Sequence, residues 1–170
     1  PTNRTPAFKA LLGQVMSKGD RMDYVIQKAV ELGVSEIQLL TSERCEMRLK
    51  YDRDQKKIDH WQGIAIAACE QCGMNIVPTI HAPVSLDKWL ASNLPATRLV
   101  LAPNKEKIDV LAHATPNIAL LIGPEGGLSE AEITTANEHG FINWCIGERV
   151  LRTETAPVVA LSILNYNLVI

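Results

Sequence analysis

The sequence predicts an α/β protein built on a parallel sheet of about six strands. Three observations carry this. Short apolar runs alternate with amphipathic stretches along the whole chain. Two of the runs, Arg98–Leu101 and Ile118–Ile122, are apolar without alternation, the pattern of strands covered on both faces. Gly33, Gly73 and Gly140 close amphipathic stretches, where a helix commonly ends.

The elements follow in order. Phe8–Val15 reads as the first strand. Asp20 is an N-cap candidate before a helix over Arg21–Leu32, in which Met22, Val25, Ile26, Ala29 and Val30 recur at helical spacing. Ile37–Thr41 is a strand. Asp54–Gln71 is a long helix that buries Ile58, Trp61, Ile64, Ala65 and Ala68. Val77–Ile80 is a short strand, and Ser85 caps a short helix through Leu90. The two continuous apolar strands come next. Ser129 caps a helix over Glu130–His139, with Glu132 at the capping-box position. Phe141–Ile146 is the last strand, and Thr153–Leu168 the last helix.

A chain of 170 residues, 46% hydrophobic and 21% charged, is long enough for one domain with a true core and is not disordered in composition. Residues 1–7 read as a linker remnant and residues 8–170 as the domain. No apolar stretch approaches membrane-spanning length, and Pro1–Ala10 has no signal-peptide core, so a cytoplasmic location without membrane contact is expected. Cys45, Cys69, Cys72 and Cys145 are too few for a disulfide framework. Cys69 and Cys72 form a C-x-x-C inside a helical pattern, with no second ligand pair to complete a metal site, so we expect buried or half-buried reduced thiols and no metal. His60, His81, His113 and His139 are scattered and read as surface or capping residues, and Trp61, Trp89 and Trp144 as core. The net charge is −2, yet residues 1–57 hold 11 Lys and Arg against 8 acids, and residues 58–170 hold 6 against 11. An excess at one end can steer an RNA backbone, or be a solvated face.

Two loops break the regular pattern. Gly123-Pro124-Glu125-Gly126-Gly127 follows a buried strand and opens a helix, and its three glycines allow close approach of backbone to a ligand. In open α/β sheets ligands bind at the carboxyl ends of strands, where this loop lies. The spacing is neither a dinucleotide fingerprint nor a P-loop. The second segment runs from Ile146 and Gly147 through Glu148, Arg149, Val150, Leu151, Arg152, Thr153, Glu154 and Thr155 to Ala156. It also joins a buried strand to a helix, and it gathers two arginines and two glutamates.

These two segments together resemble the bacterial ribosomal RNA small-subunit methyltransferase E family. Lys18–Asp23, Gln27-Lys28, Glu31–Val34, Ser42–Cys45 and Glu70–Gly73 resemble further family segments, in the family's order. The sequence departs at Glu148, where the family more often has proline, at Met74, where a basic residue is common, and at Pro157, where a small residue is usual. The resemblance implies a SPOUT-type domain: a parallel sheet with helices on both faces and a deep trefoil knot near the C-terminus. It implies S-adenosylmethionine (SAM) as cofactor, no metal, methylation of uridine N3 in small-subunit ribosomal RNA (naked or in the assembled subunit), and a homodimer. In the dimer the last helix would present Val158, Val159, Leu161, Ser162 and Leu164. Family members also carry a small N-terminal PUA-like barrel that helps grip RNA, and this sequence has none before residue 8.

Carried onto this sequence, the cofactor slot comprises Leu101, Ala102 and Pro103; Ile122, Gly123, Pro124, Gly126 and Gly127; and Ile146, Gly147, Val150, Leu151, Thr153 and Ala156. Methylation of N3 requires loss of a weakly acidic proton, so a base or a cationic stabiliser helps. Glu154 is the candidate base, Arg152 the candidate anion stabiliser or phosphate anchor, and Glu125 a second carboxylate that balances the sulfonium. Arg152 and Glu154 alternatively form a structural pair. Arg21, Arg44 and Arg149 are the candidate RNA contacts. Two other classes compete: an α/β protein that holds a phosphate or nucleotide on the glycine loop, and a non-enzymatic RNA-binding module. A SPOUT enzyme acting on another RNA is a nearer alternative.

Overall fold

The computed structural model describes residues 8–18, 20–45, 51–102, 111–112, 114–146 and 151–168. The elements are β1 (Lys9–Val15), α1 (Arg21–Glu31), β2 (Glu36–Thr41), α2 (Tyr51–Cys72), β3 (Thr79–Ser85), α3 (Leu86–Leu90), β4 (Thr97–Leu101), β5 (Asn117–Ile122), α4 (Glu130–Glu138), β6 (Ile142–Trp144) and α5 (Ala156–Leu168). The six strands form one parallel sheet in the order β3-β2-β1-β5-β4-β6.

The apolar strands are central because only a strand covered on both faces can be apolar at consecutive positions. In β5 every residue from Ile118 to Ile122 is buried. Along α1, Met22, Val25, Ile26, Ala29 and Val30 are buried, as their spacing predicts. Serine capping also follows the sequence. Ser85 accepts a hydrogen bond from the Lys88 amide, and Ser129 and Glu132 form a reciprocal capping box.

Four expectations need correction. Asp20 occupies the N-cap position of α1, but its backbone is already helical and its side chain makes no cap bond; a capping side chain needs an extended backbone to reach back to the first amides. The third strand runs over Thr79–Ser85, not Val77–Ile80. Pro83 lies inside it, and the pairing shifts register between Gln38 and Leu40. Proline is tolerated there because β3 is an edge strand with one side unpaired. The last strand is only Ile142–Trp144, because an edge strand can pair only along β4, which ends at Leu101 opposite Trp144. The last helix begins at Ala156; Thr153–Thr155 form a turn, with the Thr155 and Ala156 amides donating to the Arg152 carbonyl.

Within α5, Leu161 and Leu164 are fully buried in the chain's own core. They therefore cannot contribute to a subunit contact, which leaves Val158, Val159 and Ser162 of the expected set on the outer side. The Asn165 side chain donates to the Leu32 carbonyl at the end of α1 (2.7 Å). The chain thus leaves β6 at one edge of the sheet and returns across it to pack α5 near α1.

The C-x-x-C pair is structural. The single proton of the Cys69 thiol is within reach of the Met74 and Ile76 carbonyls beyond the end of α2. Burial pushes this thiol's pKa up, and the neighbouring Cys72 and Glu70 push it further. It is therefore held as the unreactive thiol rather than the thiolate that redox chemistry needs. His60 and His81 pair with Asp23 and Glu36, and His139 is the C-cap of α4. His113 lies outside the described residues.

Candidate functional site

The carboxyl ends of β4, β5 and β6 open on a cavity of about 410 Å³. The strand order reverses here. The chain steps inward from β4 to β5, then outward past β4 to β6. Such a reversal leaves a crevice beyond the strand ends, the usual ligand position in open α/β sheets. Leu101 and Ala102 enter from β4, Ile122 from β5, and Trp144, Cys145 and Ile146 from β6. The loop from Gly123 to Leu128 closes a second side. Leu151, Thr153 and Ala156 contribute the segment that returns from β6, and Ile133 reaches in from α4.

The glycine loop has a defined shape. The Gly127 amide donates to the Pro124 carbonyl (2.8 Å), which makes residues 124–127 a tight turn. Gly127 has φ 75°, a conformation that side chains with a Cβ rarely adopt. Gly123 is needed for space. A Cβ there would lie 2.9 Å from the Leu128 Cγ and 3.1 Å from the Leu128 amide nitrogen.

A short polar chain ties the returning segment to this loop. The buried Thr153 hydroxyl donates to the Gly123 carbonyl (3.0 Å) and accepts from Gln14 Nε2 (3.2 Å). Two arginines hold the loop from other elements. Arg21, the first residue of α1, forms an ion pair with Glu125. Arg44, after β2, donates to the Gly126 carbonyl (2.9 Å). Arg21 Nε also lies 4.0 Å from Glu154 Oε2, an oxygen that is inaccessible to solvent and makes no hydrogen bond among the described residues.

The structure thus brings Leu101, Ala102, Ile122, Gly123, Pro124, Glu125, Gly126, Gly127, Ile146, Leu151, Thr153 and Ala156 to one cavity. Pro103, Gly147, Arg149 and Val150 lie outside the described residues. Arg152 is exposed and is not part of the cavity lining, nor is Glu154. Among the described residues the ionic neighbour of Glu154 is Arg21. Glu125 is paired with Arg21, so its charge is already compensated. Sequence reasoning missed Leu128, Ile133, Trp144 and Cys145 as lining residues. Trp144 is buried as expected, yet it also faces the cavity, and Cys145 is exposed. Gln14 was also missed. Its only signal in the sequence was a glutamine within a mostly apolar strand, which the structure buries fully.

The fold and cavity define a parallel α/β protein with a cavity of small-molecule size at the carboxyl edge of its sheet. The chain belongs to the RNA methyltransferase domain family, whose model matches residues 3–165. It is 41% identical over 156 residues to the ribosomal RNA small subunit methyltransferase E of Buchnera aphidicola from Schizaphis graminum, covering 91% of this chain and 63% of that protein. It therefore spans slightly less than two thirds of that relative. Among solved structures it resembles a methyltransferase from Legionella pneumophila in complex with the bound cofactor SAM (TM-score 0.92, 43% identity, 96% of this chain and 68% of that one). It also resembles a ribosomal RNA small subunit methyltransferase E from Neisseria gonorrhoeae bound to S-adenosyl methionine (TM-score 0.89, 40% identity, 96% and 68%). The fold alone is shared with a TrmH/SpoU tRNA modifying enzyme of A. aeolicus (TM-score 0.59, 13% identity, 97% of this chain and 77% of that one).

Proposed function

We propose that this chain is the catalytic domain of a SAM-dependent methyltransferase that methylates N3 of a uridine in small-subunit ribosomal RNA. The observation that carries the reading is the cavity at the strand ends. Its size falls within the range of small-molecule sites, and its walls are mainly apolar with a few polar groups, as an adenosine-bearing ligand requires. The missing side chain at Gly123 lets the loop fold back against Leu128, so that both residues line one wall of the cavity. Both SAM-bound structures named above resemble the chain over 96% of its length, which supports the same occupant here. When bound, SAM supplies a methyl group on a sulfonium.

The residues of this chain do the rest. The strand ends and the glycine loop exclude water and orient the donor, which lowers the entropy lost in reaching the reactive geometry. Glu154 accepts the N3 proton of the incoming uridine. Its Oε2 makes no hydrogen bond among the described residues, so its lone pairs are uncommitted, and entry of the uridine has to open the cover that shields this oxygen. Because a base acts on the acceptor, a position beside the cofactor cavity rather than in its wall suits this role. Arg152, exposed next to it, meets the imide anion or a flanking phosphate. Arg21 and Arg44 are partly or fully exposed and stand beside the cavity loop, where RNA phosphate can reach them.

The same reading includes a trefoil knot. The segment around Thr153 passes beside the Gly123–Leu128 loop on its way from the β6 edge to α5 near α1, a path that supports threading. No described helix is long and apolar enough to cross a membrane, in keeping with work on ribosomal RNA in the cytoplasm. We also propose a homodimer. Sedimentation at micromolar concentration is expected to give twice the chain mass, and a monomer that binds SAM normally refutes the dimer.

Two measurements test the function. Calorimetry with SAM should show one site per chain. Ribosomal RNA or small subunits from a strain lacking the gene, incubated with the full-length protein and SAM, should gain N3-methyluridine by nucleoside mass spectrometry. Methylation of a different nucleoside, or none, overturns the assignment. The exposed thiol of Cys145 reports on the cavity directly, because the other three cysteines are buried or half-buried. Saturating SAM is expected to slow alkylation of Cys145 by about tenfold or more, the protection due to a site occupied most of the time. Equal alkylation with and without SAM, in a protein that binds it, places the ligand elsewhere.

A further inference from the structure

We infer that Gln14 is a positioning residue for the cofactor cavity, acting through Thr153. This rests on the proposal that the cavity binds SAM. Gln14 is fully buried near the carboxyl end of β1, where it pairs with Ile122, the last residue of β5 before Gly123. Its Nε2 donates twice, to its neighbour's carbonyl at Val15 (3.0 Å) and to the Thr153 hydroxyl (3.2 Å). That hydroxyl donates onward to the Gly123 carbonyl (3.0 Å).

The polarity of the chain is determined throughout. A threonine hydroxyl has one proton, and here it goes to Gly123, so the hydroxyl can only accept from Gln14. The amide must then present its NH₂ to Thr153. Its Oε1 is left buried with no hydrogen-bond partner among the described residues. An apolar side chain would pack into this strand without that penalty. The feature a glutamine adds is the link to Thr153, 139 residues away in sequence.

Thr153 and Gly123 both line the cavity; Gln14 does not. The link therefore sets the separation between two walls that come from different parts of the chain: the loop after β5 and the segment returning from β6. Hydrogen bonding through a buried hydroxyl fixes that separation more narrowly than apolar contact, because donor and acceptor must meet within a few tenths of an ångström. Cavity shape, and with it cofactor affinity, depends on a residue that touches no ligand.

The test compares SAM affinity by calorimetry with the unfolding midpoint for four variants: Gln14→Met, Thr153→Val, the double variant and Thr153→Ser. Gln14→Met and Thr153→Val are each expected to weaken SAM binding about tenfold, the worth of a positioning hydrogen bond. The double variant should be no worse than the weaker single one, since both remove the same link. Thr153→Ser keeps the hydroxyl and should recover most of what Thr153→Val loses. The inference is overturned if Gln14→Met binds SAM like the unmodified chain, if the two losses multiply, or if affinity simply follows the unfolding midpoint across the set. An unmodified chain that does not bind SAM overturns the cavity assignment itself, which is a separate result.

Discussion

Replacing Glu154 with glutamine is expected to slow methyl transfer by roughly 10²–10⁴-fold in single-turnover measurements, the usual contribution of a general base. The substitution keeps side-chain size and removes the ability to take a proton. SAM affinity should change little, because Glu154 is not among the residues that line the cavity. The neighbourhood sharpens the experiment. Arg21 lies near Glu154 and is paired with Glu125, so two carboxylates share one guanidinium. Glu125→Gln serves as the control. It removes the other carboxylate of the cluster, one already compensated by Arg21, and should reduce the chemical step far less. If Glu154→Gln retains near-normal single-turnover rates while Glu125→Gln does not, the two roles are exchanged. If both retain them, proton loss from N3 goes to solvent.

Much of the architecture was legible because it depends on local signals. A 3.6-residue period picked out the buried face of α1 residue for residue, and the serine caps of α3 and α4 fell where short-range hydrogen bonding requires them. The errors fall where a neighbour in space decides. Nothing near Val77 indicates that β3 starts at Thr79 and continues through Pro83; the partner strand β2 and the edge position determine that. The short β6 and the late start of α5 have the same origin, since both ends depend on pairing and packing with elements far away in sequence. Gly13 is another example. A Cβ there would lie 2.4 Å from the ring of Trp89, so the glycine makes room for a side chain of α3 whose ring packs at a tilt against Phe141. In the sequence it is only a glycine in a strand.

The candidate site was legible as two loops, but not as a network. Glycine and proline clustering after a buried strand marks a loop whatever the fold, and the structure brings that loop and the segment around Thr153 to one cavity. Arg21 and Arg44 were identified through the family resemblance, and only as RNA contacts. Their ties to Glu125 and to the Gly126 carbonyl depend on α1 and the β2–α2 connection reaching the same strand ends, which no local pattern encodes. The same holds for Gln14, whose partner is Thr153.

The two glycines at Gly123 and Gly126 should behave differently on substitution, although they lie three residues apart in one loop. A Cβ on Gly126 meets only the Arg44 side chain, at 3.7 Å, an ordinary contact. Gly126→Val therefore strains the protein little, and any loss of SAM binding reports the volume its side chain takes from the cavity that Gly126 lines. A Cβ on Gly123 collides with Leu128, at both the side chain and the amide nitrogen. Leu128 and Gly123 both line the cavity, so the collision can be relieved only by moving one wall. Overpacking of this kind costs about 1–3 kcal/mol. Because that strain falls on the cavity wall, Gly123→Val should weaken SAM binding by roughly tenfold to a hundredfold, and Gly126→Val by far less. Calorimetry on both variants, each first checked for a cooperative unfolding transition, decides the matter. Equal, near-normal affinity in both means that SAM does not occupy the cavity at the ends of β4, β5 and β6. A larger loss at Gly126 than at Gly123 means that space beside Gly126, rather than strain against Leu128, governs binding.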